Sequence, residues 1–216
     1  MLFLGIRSPE QIVGLLIAVT LGVTLHEAAH SYFAYFMGDP TPKETGHLTL
    51  DPRVHIYLPG WIMFILIGFG TLGLAPINPY RMRNPRLGSI VATGAGPVSN
   101  LVIAIVFAIP LRLIVGSLDP SSIGTILRFV VFFNVLLFVF NLLPLFPLDG
   151  WHIMLALLPP ELAITWDRHR QTSQMVFFIL LIASFMGLPF FNFGTIILDP
   201  VWNIYTSLLN IPFRAL

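Results

Sequence analysis

Long runs without charged residues constrain the fold of this chain more than any other feature. The segments Gly88 to Leu111 and Phe129 to Leu148 contain no charge, and Ile12 to Met37 contains a single acid, Glu27. About twenty apolar residues cross a bilayer core as a helix. Charged residues make up only 10% of the chain, whereas soluble domains contain roughly 25%. We therefore predict an all-α polytopic membrane protein with about five to six membrane segments.

The overall charge and the cysteine content exclude several classes of protein. The net charge is +1, which excludes a nucleic-acid partner because no basic surface is available to neutralise phosphates. The chain contains no cysteine, which excludes disulfides and thiolate metal sites. We expect one membrane domain over residues 1–216, with a core at about 12–158, further membrane segments at about 173–216 and no cleavable signal peptide.

The first apolar run carries the pattern His-Glu-x-x-His over His26, Glu27 and His30. Residues four apart lie on one face of a helix, so both imidazoles can bind one cation while Glu27 acts on metal-bound water. Such a short pattern also occurs by chance. Within a membrane helix, however, each charge costs roughly 2.5–3.5 kcal/mol. Three ionisable groups within five residues therefore favour a zinc site over a lipid-facing surface.

A catalytic zinc needs a third protein ligand, for which the acids near apolar segments are candidates. These acids are Asp119, Asp149 and Asp199. Asp149 is favoured because prolines precede it and a glycine follows, and such a break in a helix lets a carboxylate turn inward. The alternative is that Asp149 only caps the helix that begins near Trp151.

These residues resemble the site-2 protease family of intramembrane zinc metalloproteases. Three features match in order: His26-Glu27-x-x-His30, Gly96-Pro97, and Asn141-x-x-Pro144-x-x-Pro147-Leu148-Asp149-Gly150. The resemblance implies one zinc ion held by His26, His30 and Asp149, with Glu27 as the catalytic acid and base. It also implies that Asn141 contacts the substrate backbone. The chain is similar to the compact prokaryotic branch without a PDZ domain, whose substrates are transmembrane proteins or peptides in membrane lipid.

Two segments between the first span and the Gly-Pro span are less regular. Residues Thr45 to Pro52 alternate polar and apolar side chains, which predicts a short β-hairpin, and its Leu48 to Leu50 strand is a candidate edge for an unwound substrate. The helices that end near His30 and Asp149 must run in the same direction for these residues to meet. A full crossing at Leu58 to Ile77 would prevent this, so we expect a re-entrant segment there.

The distribution of basic residues predicts the orientation in the membrane. With that topology one side holds Lys43, Arg53, Arg81, Arg83, Arg86, Arg168 and Arg170, whereas the other holds Arg7, Arg112 and Arg128. By the positive-inside rule the active site lies toward the cytoplasm, in a prokaryotic cell membrane.

The sequence also indicates further candidate residues and two alternative functions. His47 and His55 are candidate auxiliary residues for oxyanion stabilisation, and His152 is a candidate partner of a metal ligand. We expect Asn134 to form a hydrogen bond between helices. Alternative functions are a membrane metallohydrolase acting on another substrate, and a transporter that conducts ions or protons. The oligomeric state and the substrate are not predicted.

Overall fold

The protein was analysed as a computed structural model, which describes residues 8–67, 70, 72–115, 122–186 and 193–209. Asp119, Arg7 and Gly68 lie outside these ranges. The α-helices of the described chain are α1 (Pro9–Phe36), α2 (Thr41–Glu44), α3 (Pro52–His55), α4 (Leu58–Ile67), α5 (Pro85–Val115), α6 (Ser122–Asn141), α7 (Asp149–Leu157), α8 (Pro160–Arg168), α9 (Arg170–Phe185) and α10 (Phe193–Leu209).

Three of these helices are long and apolar enough to cross a membrane: Pro9–Phe36, Pro85–Ile114 and Ile123–Asn141. The first begins with a capping box, in which the Ser8 side chain accepts from Gln11 N and the Gln11 side chain accepts from Ser8 N. It ends before Gly38, whose φ of +105° is accessible mainly to glycine. The prediction of a helical membrane protein is confirmed, and the number of spans beyond these three stays a prediction.

Helices α1 and α6 pack side by side in the same direction. Gly14 faces Phe129 near their beginnings, and Gly22 faces Asn134 further along. A Cβ atom on Gly22 would lie 2.8 Å from Asn134 Oδ1. The glycine therefore permits the close approach of the two helices.

Helix α5 runs opposite to α1 and α6. Asn100 bonds to the Gly22 carbonyl, whereas Ala92, earlier in α5, bonds to His30, later in α1. This arrangement confirms the predicted direction of the Gly-Pro span. The three helices bury a core that includes Leu15, Val19, Val23, Ile103, Val130 and Phe133. Helix α10 packs on the far side of α6, with Val201 fully buried.

The predicted β-hairpin at Thr45 to Pro52 is wrong. This part of the described chain contains turns and short helices: the Thr45 Oγ1 donates to Thr41 O, Gly46 has a φ of +75°, and the Asp51 side chain caps α3. The alternation of polar and apolar residues reflects these local contacts, since a strand also needs a partner to satisfy its backbone. The Leu48 to Leu50 segment is therefore no edge strand.

The segment from Leu58 to Ile77 is not one continuous helix. Helix α4 ends at Ile67, and the chain returns so that Gly73 forms an isolated antiparallel bridge with Ile56. Tyr57 N donates to Leu72 O at 3.0 Å, and the Trp61 indole donates to the same carbonyl at 2.9 Å. The residues just before α4 and the residues around Gly73 therefore lie side by side.

Candidate metal centre and active site

Three potential ligand atoms converge where α1 meets the beginning of α7. The Nε2 atoms of His26 and His30 lie 2.9 Å apart, and Asp149 Oδ2 lies 3.1 Å from the first and 3.4 Å from the second. Both histidines are buried, and the Asp149 carboxylate is largely enclosed. Ligand atoms at 2.0–2.1 Å from a tetrahedral zinc lie about 3.3 Å apart. The spacing therefore matches that of a zinc site.

Hydrogen bonds at Nδ1 of each imidazole ring determine where the ring proton lies, and so whether Nε2 has a lone pair for a metal ion. His26 Nδ1 lies 2.6 Å from Asn100 Oδ1, and His30 Nδ1 lies 2.8 Å from the Ala92 carbonyl oxygen. Both oxygens only accept, so each Nδ1 carries a proton, and in its neutral form each ring presents an Nε2 lone pair. Asp149 Oδ2 is buried without a hydrogen-bond donor. Three electron-pair donors thus face one point, and this donor set fits a metal cation.

The turn after α6 directs Asp149 toward the histidines. Gly150 packs against the carbonyl oxygens of Leu142 and Leu143 so closely that a Cβ atom has no room. The backbone N–H of Phe146 donates to Ser173 Oγ at 3.0 Å, which ties the turn to α9. The cap of α7 is Leu148, and no side chain caps this helix. The alternative that Asp149 serves as the helix cap is therefore wrong.

Arginine 86 fixes the other end of α7. Its guanidinium donates to the carbonyl oxygens of Ala156, Leu157 and Leu158 at 3.1, 3.2 and 2.6 Å. These are the unpaired carbonyls at the C-terminus of the helix, which a cation stabilises. Because Arg86 belongs to α5, the helix that carries Asp149 is docked on the helix that faces both histidines.

Two glycines bring backbone close to the candidate catalytic groups. A Cβ atom on Gly96 would lie 2.7 Å from His26 Nε2 and closer still to the His30 ring. A Cβ atom on Gly73 would overlap the carboxylate of Glu27. The segment around Gly73 therefore lies directly against Glu27, which follows His26 on α1.

A cavity of about 700 Å³ lies beside these residues. Its wall includes the candidate ligands and Glu27, and also Leu72, Gly73, Ile77, Ser89, Asn141, His152 and Arg170. Asn141 donates to the Leu137 carbonyl of its own helix at 3.1 Å. This volume lies within the range of about 300–1,000 Å³ that is common for ligand pockets.

His47 and His55 lie together, away from this cavity. Their ring centroids are 5.8 Å apart, and neither residue belongs to the cavity wall. His55 is fully buried, with Nε2 at 2.9 Å from the Thr49 carbonyl oxygen. These contacts give His55 a role in holding the connection between α1 and α4. Nothing in the described chain brings either histidine to the candidate ligands.

Asn100 is fully buried beside His26 and was not predicted from the sequence as a site residue. Its Nδ2 donates to Asn134 Oδ1 at 3.0 Å, so the expected hydrogen bond of Asn134 between helices is present. The only signal in the sequence was an asparagine within the uncharged run Gly88 to Leu111, three residues after Pro97.

Comparison with known proteins agrees with this geometry. Residues 110–184 match the family described as Peptidase family M50. The chain is 36% identical to YwhC of Bacillus subtilis over 205 residues. This aligned region covers 91% of this chain and 92% of YwhC. The chain belongs to peptidase family M50. Rip2 of Mycolicibacterium smegmatis is 30% identical to this M50 peptidase over 195 residues, 85% of the chain and 74% of that protein.

Both relatives carry the description "Putative zinc metalloprotease". No solved structure matches the chain. M50 is the family of site-2 proteases, and both relatives are of the compact kind. This M50 peptidase is therefore an intramembrane zinc metalloprotease, an integral membrane enzyme whose cofactor is zinc.

Proposed function

We propose that His26, His30 and Asp149 hold the zinc ion and that Glu27 is the catalytic acid and base. The observation that carries this proposal is the convergence of three electron-pair donors within 3.4 Å, with both imidazole protons turned outward. Catalytic zinc sites take three protein ligands and leave one position for water or substrate.

The chemistry divides between the metal and Glu27. Bound zinc supplies Lewis acidity, which polarises a peptide carbonyl and makes water more acidic. Glu27 accepts a proton from the attacking water as the new bond to the carbonyl carbon forms. It then gives this proton to the amide nitrogen as the carbon–nitrogen bond breaks, so one carboxylate acts as base and then as acid. Its position in the cavity wall, one residue after His26, suits both steps.

The substrate is a transmembrane segment of another protein, which must unwind locally because helical peptide bonds are shielded. The extended residues Leu72 to Leu74 supply the backbone edge with which a substrate can pair, in place of the Leu48 to Leu50 strand that the structure excludes. Leu72 O and Leu74 N bond to the chain at Tyr57 and His55. In such a bridge the N–H and C=O of the intervening Gly73 point to the opposite side, where an extended peptide can pair with them.

Asn141 provides a further contact to the substrate backbone. Its Nδ2 donates to Leu137 O, which leaves Oδ1 to accept from a peptide N–H in the cavity. The residues from Leu58 to Ile77 enter and leave the membrane on one side, since Ile56 and Gly73 are paired.

The active site faces the cytoplasm of a prokaryotic cell membrane. The ends of α1 and α6 and the beginning of α5 lie together, because Arg83 N donates to Met37 O and Asp149 reaches His30. This end of the bundle and its connections carry most of the basic residues, which by the positive-inside rule are cytoplasmic.

Purified protein in detergent tests the proposal through zinc content and cleavage of a transmembrane peptide. The wild type is expected to bind about one zinc and to cleave. Glu27→Gln is expected to keep the zinc and lose at least about 100-fold in rate, the lower range for general acid–base catalysis. A Glu27→Gln variant that cleaves normally would refute the assigned role, and a wild type without zinc would refute the ligand set.

A further inference from the structure

A line of buried amide groups leads from His26 across all three long helices. His26 Nδ1 on α1 lies 2.6 Å from Asn100 Oδ1 on α5, and Asn100 Nδ2 lies 3.0 Å from Asn134 Oδ1 on α6. Asn100 Nδ2 also donates to the Gly22 carbonyl at 3.0 Å. Both asparagines are fully buried.

The orientation of every group in this line is fixed by backbone carbonyls, which only accept hydrogen bonds. Asn134 Nδ2 donates to Val130 O at 2.8 Å, so Asn134 must present its oxygen to Asn100. Asn100 Nδ2 lies between that oxygen and the Gly22 carbonyl, so Asn100 must present Oδ1 to His26. Reversing either amide would place two acceptors or two donors against each other.

We propose that Asn100 is a positioning residue for the zinc ion, which it holds indirectly by fixing the tautomer and ring angle of His26. The inference rests on the proposed role of His26 as a ligand. Asn100 Oδ1 accepts a hydrogen bond from His26 Nδ1–H, so the lone pair of His26 Nε2 points toward His30 and Asp149. Groups that orient metal-bound histidines in this way typically contribute 10–100-fold to metal affinity.

A purely structural role for Asn100 makes a different prediction. Asn134 is an equally buried amide that joins the same helices but does not contact a histidine. If Asn100 only joined helices, its loss and the loss of Asn134 would have similar effects, limited to stability. If Asn100 orients His26, only its loss weakens zinc binding, and an acceptor of similar size at position 100 restores the affinity.

The test measures zinc affinity of the purified full chain in detergent by competition with a chromogenic chelator, beside thermal unfolding of the zinc-free protein. Asn100→Leu is expected to bind zinc about 10–100-fold more weakly than the wild type. Asn100→Asp in its protonated form accepts from His26 Nδ1–H through one oxygen and donates from the other to the oxygens that Asn100 Nδ2 now contacts, so it is expected to stay within about threefold. Asn134→Leu is expected to lower the unfolding temperature and to change the affinity by less than about threefold.

Each outcome decides a separate point. Unchanged affinity in Asn100→Leu, or a tenfold loss in Asn134→Leu equal to that in Asn100→Leu, overturns the positioning role while leaving the ligand set intact. If Asn100→Leu does not fold, Asn100→Asp decides, because a loss of tenfold or more in this variant also overturns the role. A wild type that binds no zinc overturns the ligand set and this inference together.

Discussion

The close approach of α5 to the proposed metal ligands makes Gly96→Ala the most informative substitution in this protein. The added Cβ atom would lie 2.7 Å from His26 Nε2, whereas ordinary contacts begin at 3.4 Å. Helix α5 or the histidine must therefore move by at least about 0.7 Å. Ligand distances in metal sites are expected within about 0.2 Å of their usual values. We expect zinc affinity to fall at least about 100-fold, which corresponds to about 2.7 kcal/mol.

Gly94→Ala is the matched control, because a Cβ atom at Gly94 on the same helix meets nothing within 4 Å. Alanine favours a helix over glycine by about 1 kcal/mol, so this variant is expected to be as stable as the wild type or more so. Zinc affinity by chelator competition and cleavage of a transmembrane peptide are measured for both variants. If Gly96→Ala binds zinc and cleaves as well as Gly94→Ala, the argument that α5 must carry no side chain here is wrong.

Three further predictions concern other parts of the site and its surroundings. Gly73→Ala displaces the Glu27 carboxylate, so the rate of cleavage should fall about 100-fold while zinc content stays at one per chain. A normal rate of cleavage would show that Gly73 does not lie against Glu27. Asp149→Ala should reduce zinc content below one per chain by elemental analysis, and stoichiometric zinc would exclude Asp149 as a ligand. Hydrogen bonds from the Arg53 side chain and then from the Arg53 backbone N–H lower the pKa of Asp51 from 3.8 to about 2, so this contact stabilises the fold above pH 3.8 and is lost as the pH falls through 2. In Arg53→Leu the pKa of Asp51 should rise toward 3.8, as measured by carboxyl ¹³C NMR. An Asp51 titration that is unchanged from the wild type would contradict this prediction.

The candidate ligands were predictable from sequence because their geometry is mostly local. His26 and His30 share a face of any regular helix, and the proline and glycine residues around Asp149 mark a break that turns its carboxylate. The direction of the helices followed from the requirement that these groups meet. Each of these inferences depends on a few neighbouring residues and on the thickness of a bilayer.

The partners of the ligands were not predictable in the same way. Asn100 is 74 residues from His26, and the pair depends on how α5 docks against α1. The hairpin at Thr45 to Pro52 failed because alternating polarity there arises from caps and turns. Similarly, the contact of Gly73 with Glu27 depends on the pairing of Gly73 with Ile56, and no local sequence pattern specifies the register of that pairing.

The separation of the proposed metal ligands along the chain has a consequence for the lifetime of the protein. His26 and His30 lie on α1, Asp149 follows α6, and Arg86 on α5 clamps the far end of α7. Zinc that binds only the assembled bundle adds about 2.7 kcal/mol to its stability when the free metal is at 100 times its dissociation constant. We therefore expect the helices of the zinc-free protein to separate more often, and the protein to be degraded more readily when zinc is scarce.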